Sequence, residues 1–375
     1  MHNPLANRVL LLFFIIFIFA MNSNASGASV NESLIRAKQE AEAKGYIFLA
    51  SHDEIVAGAK KEGQLRLLGA LDPRVYKAMI SSFKKRYPFV TDVYVEDIGS
   101  IDAKQRFLLE LKSKSAAEWD IFDLAPELWS EYMPYIKKLD LLGMATHNVL
   151  TVPSAMIDPR NRNIVSTGSS VFVVGYNKKL IAQERAPKTW EEFLKPELKG
   201  KKFMVDVRPL GFAALASGLG EQWALEYAGK IAAQDPVWVR GQSRALGAIL
   251  TGERAMLHLA YYHSCQRAAK KDPSGSLECK LIEPVPGRIQ EFAAVNSTAP
   301  HPYTSVLWLE FQASREGQSI VENFEPMNTS VYAPDSALAR ELQGKKLSIV
   351  KWDSLDNASR WEQMTVKAFG FPKAE

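Results

Sequence analysis

Two adjacent tyrosines, Tyr261 and Tyr262, are the sharpest candidates for chemistry in this chain. They follow directly on the apolar run Met256–Ala260, which is typical of a buried strand. Tyrosine combines a flat apolar ring with a hydroxyl that both donates and accepts hydrogen bonds. Two such side chains at the end of a strand would form the aromatic wall of a cleft for a small organic ligand.

A second candidate is Arg208, which lies between the strand-like run Lys202–Asp206 and the Ala-rich, helix-like segment Phe212–Gly218. An arginine beside a helix N-terminus is suited to hold a carboxylate or phosphonate through two parallel N–H bonds. The alternatives are that Arg208 pairs with Asp206 or lies free at the surface. The sequence does not decide between them.

Segments in which a strand end meets a turn or a helix start are where ligands gather in open α/β sheets. Gly69–Asp72, Thr167–Ser170 and Asp206–Phe212 have this character, and they contribute Asp72, Ser170 and Arg208 as candidate ligand contacts. Asp72 precedes Pro73 and therefore also reads as a helix N-cap.

Gln242 and Ser243 lie between two arginines in the segment Arg240–Arg244, which we predict to be a polar loop. The sequence has no G-x-S-x-G or H-E-x-x-H motif and no phosphate-cradling glycine loop. This favours a binding protein that performs no chemistry. A secreted hydrolase on a similar scaffold is the alternative.

The elements that must position these residues alternate between strands and helices. A first series of apolar strand-like runs and amphipathic helical segments extends from Gln64 to Leu124, and a second begins at the strand Ser170–Tyr176. Such alternation predicts sheets with helices on both faces. Since no long linker separates the two series, we expect two α/β lobes joined by several chain crossings.

The N-terminus has the layout of a secretory signal peptide. Arg8 precedes the apolar run Val9–Met21, and the small polar run Asn22–Ser29 follows. The apolar run is short for a bilayer core of about 30 Å, although an uncleaved anchor is the alternative. No cysteine near the expected cleavage site supports a lipid anchor.

Composition is that of a folded globular protein, with 47% hydrophobic and 23% charged residues. The formal net charge of +4 and the absence of basic clusters interleaved with aromatics argue against nucleic-acid binding. The two cysteines, Cys265 and Cys279, flank a turn-like segment, Asp272–Gly275. In an oxidising compartment they are expected to form a disulfide, and two separate buried thiols are the alternative.

Five stretches in order along the chain resemble the bacterial ABC-importer solute-binding proteins of the ferric-ion, thiamine, spermidine and phosphonate type. The most characteristic is Asn177–Leu180 followed by Ala186–Lys201 (APKTWEEFLKPELKGK). The others are Ala59–Leu65, Thr251–Met256, and Ala299–Pro302 with Ser314–Gln318. Together they extend over most of the chain after the signal segment.

The resemblance implies an α/β fold of the two-lobed type 2 periplasmic-binding class, with a hinge and an interlobe ligand cleft. We expect the hinge segments near Asn163–Gly168 and Gly287–Phe292. The domains predicted on this basis are a signal peptide over residues 1–28, a first part of lobe 1 over 29–165, lobe 2 over 166–288, and a return to lobe 1 with C-terminal helices over 289–375.

The resemblance also implies roles for individual residues. In ferric relatives a tyrosine pair at the position of Tyr261 and Tyr262 ligates iron, so these two residues are candidate metal ligands. Gln242 and Ser243 stand where such relatives place anion-holding groups. However, Asp72 and Ala125 occupy the positions of the relatives' histidine and glutamate ligands, which weakens the case for iron.

The function expected from sequence is therefore the periplasmic component of an ABC importer. It would bind a small anionic or oxygen-rich solute as a monomer, without a cofactor, and deliver it to the membrane permease and its ATPase. Ferric ion is the alternative cargo.

Overall fold

The computed structural model describes residues 32–371 of the chain. The predicted signal segment, residues 1–28, lies outside the described residues. Within residues 32–371, no helix has the length and apolar character needed to cross a bilayer.

Helices and strands alternate along most of the described chain. The helices of residues 32–371 are α1 (residues 32–43), α2 (His52–Glu62), α3 (Pro73–Arg86), α4 (Ile101–Lys112), α5 (Trp129–Tyr132), α6 (Leu141–Thr146), α7 (Leu210–Leu219), α8 (Glu221–Ala233), α9 (Gln242–Leu250), α10 (Tyr262–Lys270), α11 (Pro302–Ala313), α12 (Arg315–Phe324), α13 (Ala337–Leu342) and α14 (Leu355–Phe369). The strands of the same residues are β1 (Gln64–Gly69), β2 (Asp92–Asp97), β3 (Ile121–Leu124), β4 (Ile164–Asn177), β5 (Met204–Asp206), β6 (Val237–Val239), β7 (Met256–Tyr261), β8 (Leu277–Lys280), β9 (Val285–Val295) and β10 (Leu347–Val350).

The strands form two halves of similar design. In the first half, β2, β1 and β3 are parallel, and the antiparallel end of β9 pairs with β3. In the second half, β6, β5 and β7 are parallel, and the antiparallel end of β4 pairs with β7. Parallel strands with helical crossovers bring strand ends and helix starts together at one edge of each half.

The two long strands β4 and β9 join the halves. Residues 164–171 of β4 pair with residues 287–294 of β9 in antiparallel register. Beyond Val171, β4 changes partners and pairs with β7 and β8. The predicted hinge segments lie within this crossing, where the chain passes between the halves in both directions.

Local sequence signals account for where the elements begin and end. Helix α2 starts after Ser51, whose hydroxyl accepts a hydrogen bond from the Glu54 N–H, and ends at Gly63 with a φ of 64°. Helix α4 starts after Ser100, which caps the Ala103 N–H in the same way. Apolar residues then face the core, as Phe107, Leu108 and Leu111 do in α4.

The predicted α/β class with two lobes is confirmed, and the differences lie in element bounds. Strand β4 begins at Ile164, before the predicted start at Ser170, because the crossing pairs it with β9. The expected polar loop at Arg240–Arg244 is wrong, since Gln242 is the first residue of α9.

Candidate functional site

Asp206 and Arg208 form a closed pair at the carboxyl end of β5. Arg208 donates from Nε to Asp206 Oδ1 at 3.0 Å and from Nη2 to Oδ2 at 2.6 Å, and its backbone N–H also donates to Oδ1. Burial alone would raise the pKa of Asp206, but the hydrogen bonds from Arg208 lower it below its usual value. Both side chains are therefore charged, and the pair has no net charge.

Gln242 connects this pair to Tyr261. Its Nε2 donates to Asp206 Oδ2 at 2.9 Å, and its Oε1 accepts from the Tyr261 backbone N–H at 3.3 Å. The side chain is positioned as the first residue of α9, which follows Gly241 with a φ of 106°. A left-handed backbone of this kind is readily adopted only by glycine.

Tyr261 forms an aromatic surface above the pair. Its ring centroid lies 4.9 Å from that of Phe172 and 5.3 Å from that of His263, and the Arg208 guanidinium carbon lies 5.7 Å from it. Burial raises the pKa of Tyr261, with Arg208 and Arg288 opposing the rise. The hydroxyl is therefore protonated at neutral pH and available as a hydrogen-bond donor.

The cavity beneath these residues is small. It is lined by residues that include Asp206, Arg208, Phe212, Gln242 and Tyr261, and its volume is about 10 Å³. This is about the space of one water molecule. The cavity therefore has no room for a solute larger than a water molecule.

Tyr262 does not share the surroundings of Tyr261. As the first residue of α10 it is 4% exposed and packs in the core of the second half with Leu246 and Val285. Burial raises the pKa of Tyr262 as well. Within residues 32–371, no group of three or more His, Cys, Asp or Glu side chains is arranged to hold a metal ion.

Cys265 and Cys279 form a disulfide that ties α10 to β8. Tyr261 directly precedes α10, so the disulfide holds in place the helix that follows this tyrosine. The pair also removes Cys265 from any metal cluster with its histidine neighbours.

The other sequence-predicted residues lie apart from this cluster. Ser243 is exposed at the start of α9. Asp72 caps α3 and accepts two hydrogen bonds from the Arg74 guanidinium. Ser170 is buried in the crossing and donates to Gln290 Oε1 at 2.6 Å. The structure thus brings together Tyr261, Arg208 and Gln242, and it places Asp72 at the start of α3 and Ser170 in β4.

The first half carries a polar cluster at the carboxyl end of β3. Asp123 forms an ion pair with Lys104, whose Nζ also donates to the Leu124 carbonyl at 3.1 Å. Glu291 on β9 is close enough for its charge to act on both residues. These residues were not among the site residues predicted from the sequence, although Asp123 lies near a strand end, as the predicted candidates do.

A charged group of the second half also affects a pKa in the first half. Hydrogen bonds from Arg74 lower the pKa of Asp72 to about 2, and Arg267 on α10 adds a smaller electrostatic contribution. Arg267 also lowers the pKa of His263, which burial brings to about 4. Helix α10 of the second half therefore lies within electrostatic reach of the start of α3 in the first.

Comparison with known proteins places this geometry in context. The family described as "Bacterial extracellular solute-binding protein" matches residues 132–358. No curated protein sequence matches the chain.

Solved structures share the fold at low sequence identity. Iron-bound HitA from Pseudomonas aeruginosa is 18% identical with a TM-score of 0.61, over 81% of this chain and 99% of that one. The open ferric iron-binding protein A of Mannheimia haemolytica is 14% identical with a TM-score of 0.64, over 82% and 99%. The Trichodesmium protein IdiA (FutA), in complex with iron and citrate, is 16% identical with a TM-score of 0.62, over 82% and 98%. At these identities the likeness concerns the fold.

Proposed function

Because the chain belongs to the bacterial extracellular solute-binding proteins, we propose that it captures a small, oxygen-rich polar solute between its lobes and delivers it to an ABC importer. The partners are the membrane permease and its ATPase, and the compartment is the periplasm, which residues 1–28 would direct it to as a signal segment. Lobe 1 would comprise residues 29–165 and 289–375, and lobe 2 residues 166–288.

The observation that carries this proposal is the cluster of Asp206, Arg208, Gln242 and Tyr261 at the strand ends of lobe 2. It combines an aromatic surface with several polar groups, as small-molecule sites do. Asp206 neutralises Arg208 through two hydrogen bonds. The site therefore favours neutral oxygen atoms, which accept hydrogen bonds from Arg208 and the Tyr261 hydroxyl, over a fully charged anion.

The change of partners along β4 supports the lobe limits. Pairing passes from β9 to β7 and β8 at Val171–Phe172, a few residues beyond the proposed boundary. Strands β4 and β9 would bend as the lobes close, since both strands carry the chain between the halves.

Thermal unfolding against a panel of polar solutes tests the proposal. A ligand that binds only the folded protein stabilises it by about 2.7 kcal/mol at a hundred times its Kd. We expect at least one solute to raise the Tm of the wild type and to raise that of Tyr261→Ala less. Tyr94→Ala, which removes an exposed ring on the edge strand β2, is the matched control and should respond like the wild type.

The alternative of a secreted hydrolase makes the opposite prediction. If no solute raised the Tm while one was chemically consumed by the protein, the transport function would be wrong.

Ferric ion is the second candidate cargo, because Tyr261 and Tyr262 are adjacent and the structural relatives named above are iron-binding proteins. Fe³⁺ binding would require both phenols to ionise and Tyr262 to leave its packed position. Addition of ferric citrate should then produce a visible tyrosinate-to-iron absorption band that is lost in Tyr261→Phe and kept in Tyr94→Phe. A colourless protein would remove iron from consideration.

A further inference from the structure

Glu291 presents a carboxylate without a partner where the two lobes meet. It lies on the crossing strand β9 and is half-buried. Its Cγ lies so close to Gly168 on β4 that a Cβ on that glycine would come within 2.6 Å of it. Among residues 32–371, no side chain and no backbone N–H donates a hydrogen bond to this carboxylate.

Glu291 precedes Phe292, which pairs with Leu124 at the carboxyl end of β3, so Glu291 lies beside the strand ends of lobe 1. Its charge acts on Asp123 and Lys104 at the end of β3 and on the hydroxyl of Tyr76. That hydroxyl lies at the end of β1, where it accepts from the Leu71 N–H at 3.5 Å. Glu291 therefore lies at the edge where a ligand contacts parallel strands.

Lys104, the cation whose charge acts on Glu291, is already engaged in an ion pair with Asp123. No ion pair among the described residues involves Glu291. A carboxylate in this position costs free energy unless a positive group or a hydrogen-bond donor satisfies it.

A directional chain of hydrogen bonds runs past Glu291 to a neighbouring carboxylate. Ser170 donates to Gln290 Oε1 at 2.6 Å, Gln290 donates to Asn328 Oδ1 at 2.9 Å, and Asn328 donates to Glu325 Oε2 at 2.8 Å. All three bonds run toward Glu325. The amide groups of Gln290 and Asn328 therefore donate within this chain, and neither donates to Glu291 among the described residues.

We propose that Glu291 binds a positively charged nitrogen, an ammonium or guanidinium group, of the transported solute. The inference rests on the proposed function and deepens it. The solute would present this cationic end to lobe 1 and its oxygen-bearing end to Tyr261 and Arg208 of lobe 2. An ammonium fits better than a metal ion, since no three-ligand metal group occurs within residues 32–371.

The protonation of Glu291 gives the site a pH dependence. Burial raises its pKa to about 8, with Asp123 and Glu325 adding to the rise and Lys104 opposing it. The Tyr76 hydroxyl is the remaining titratable neighbour, and burial keeps it protonated. Because the ionised carboxylate binds a cation, affinity should rise as pH increases from 7 to 9.

A fractionated extract tests this role for a solute of any identity. The polar small molecules of yeast extract are freed of metal ions on a chelating resin and then split at pH 2 on a strong cation exchanger. Amine-bearing compounds, zwitterions included, are retained, and the others flow through. Each fraction is titrated into the protein while the Tm is measured.

We expect the retained fraction to raise the Tm of the wild type and the flow-through to have no effect. Glu291→Gln should need at least tenfold more of the retained fraction for half the maximal shift. Glu316→Gln, an exposed carboxylate at the start of α12, is the matched control and should behave as the wild type. The Tm of each variant without ligand establishes that it is folded.

The outcomes separate the two claims. A shift caused by the flow-through alone, or a full response of Glu291→Gln to the retained fraction, would overturn the role of Glu291 and leave the binding function intact. If neither fraction nor the unsplit extract changed the Tm, the proposed function itself would fail, and this inference with it.

Discussion

Arg208 binds the carboxylate of Asp206, two residues before it, through parallel hydrogen bonds of 3.0 and 2.6 Å. The arginine therefore does not present a free fork to a ligand. The Arg208 guanidinium lies against the Tyr261 ring, so that a charged group and an aromatic ring lie side by side. We therefore expect ligand recognition at the proposed site to depend on Asp206 as much as on Arg208.

Asp206→Asn should lower the free energy of unfolding by about 1 to 3 kcal/mol at pH 7, because a buried charged hydrogen-bonding partner is removed. The pKa of Asp206 is lowered in the folded state. Its contribution is therefore complete above the unfolded pKa near 4 and is lost as pH falls through the lower folded value. Urea unfolding at pH 7 and pH 3.5 should show the difference between wild type and variant shrinking. A constant difference would contradict the ion pair.

Gln242→Glu should destabilise the protein, although the two side chains differ little in size. The new carboxylate would face Asp206 Oδ2 at the position where Nε2 now donates. Like charges at this distance are destabilising, and we expect a loss of about 2 kcal/mol. Ser243→Ala, at the exposed next position, is the control and should change stability by less than about 0.5 kcal/mol. Chemical unfolding of both variants measures the contrast.

Gly168→Ala tests the crossing of β4 and β9. An added Cβ would lie 2.6 Å from Glu291 Cγ and 3.3 Å from the Asn328 carbonyl oxygen. We expect a loss of about 1 to 3 kcal/mol from this overpacking. Gly247→Ala in α9 is the matched control, since its Cβ would meet nothing within 4 Å. That change should stabilise the protein by about 0.5 to 1 kcal/mol. Equal effects would mean that the crossing tolerates bulk.

Replacement of both Cys265 and Cys279 by serine should reduce the free energy of unfolding by about 3 kcal/mol, as expected for a disulfide closing a loop of about 15 residues. The comparison is urea unfolding of the wild type with and without reductant, beside the double variant. Reductant should bring the wild type close to the variant and leave the variant unchanged. Insensitivity of the wild type to reductant would show that the bond does not contribute.

His258 should make the protein less stable in mild acid. Burial lowers its pKa from 6.5 to about 3. Below pH 6.5 this histidine is protonated in the unfolded chain and stays neutral in the folded protein. The free energy of unfolding therefore falls as pH decreases toward 3, by about 1.4 kcal/mol per pH unit. Unfolding between pH 7 and 5.5 should show this slope reduced in His258→Phe. Phe193→Leu changes the packing against the His258 ring without removing a titratable group, and it should keep the wild-type slope.

The sequence predicted those parts of the site that depend on neighbours along the chain. The pairing of Asp206 with Arg208 was one of the alternatives predicted from the sequence. It joins two residues that lie only two positions apart at the end of a strand. Helix α4 begins where local signals place a helix start, because Ser100 caps it and the apolar residues that follow have helical spacing. Local signals failed at Gln242, where a glycine and two arginines suggested a loop and the structure begins a helix.

Adjacent residues can also have different fates. Tyr261 and Tyr262 are neighbours in sequence, but the chain changes there from β7 to α10. The change turns successive side chains in different directions, so that the Tyr261 ring lies beside Phe172 and Arg208 and the Tyr262 ring lies in the core. Adjacency alone therefore predicted a shared role for which the structure provides no common surroundings.

By itself the sequence determined the alternation of strands and helices, their caps and the family, because periodicity and turn chemistry act over a few residues. The tertiary structure alone decided that Glu291 lies beside Asp123 and Lys104, that Gln242 links Asp206 to Tyr261, and that α10 approaches the start of α3. Those contacts join residues far apart in the chain. They exist because the sheet pairs β5 with β7 in one half and β3 with β9 in the other, and because β4 and β9 join the two halves.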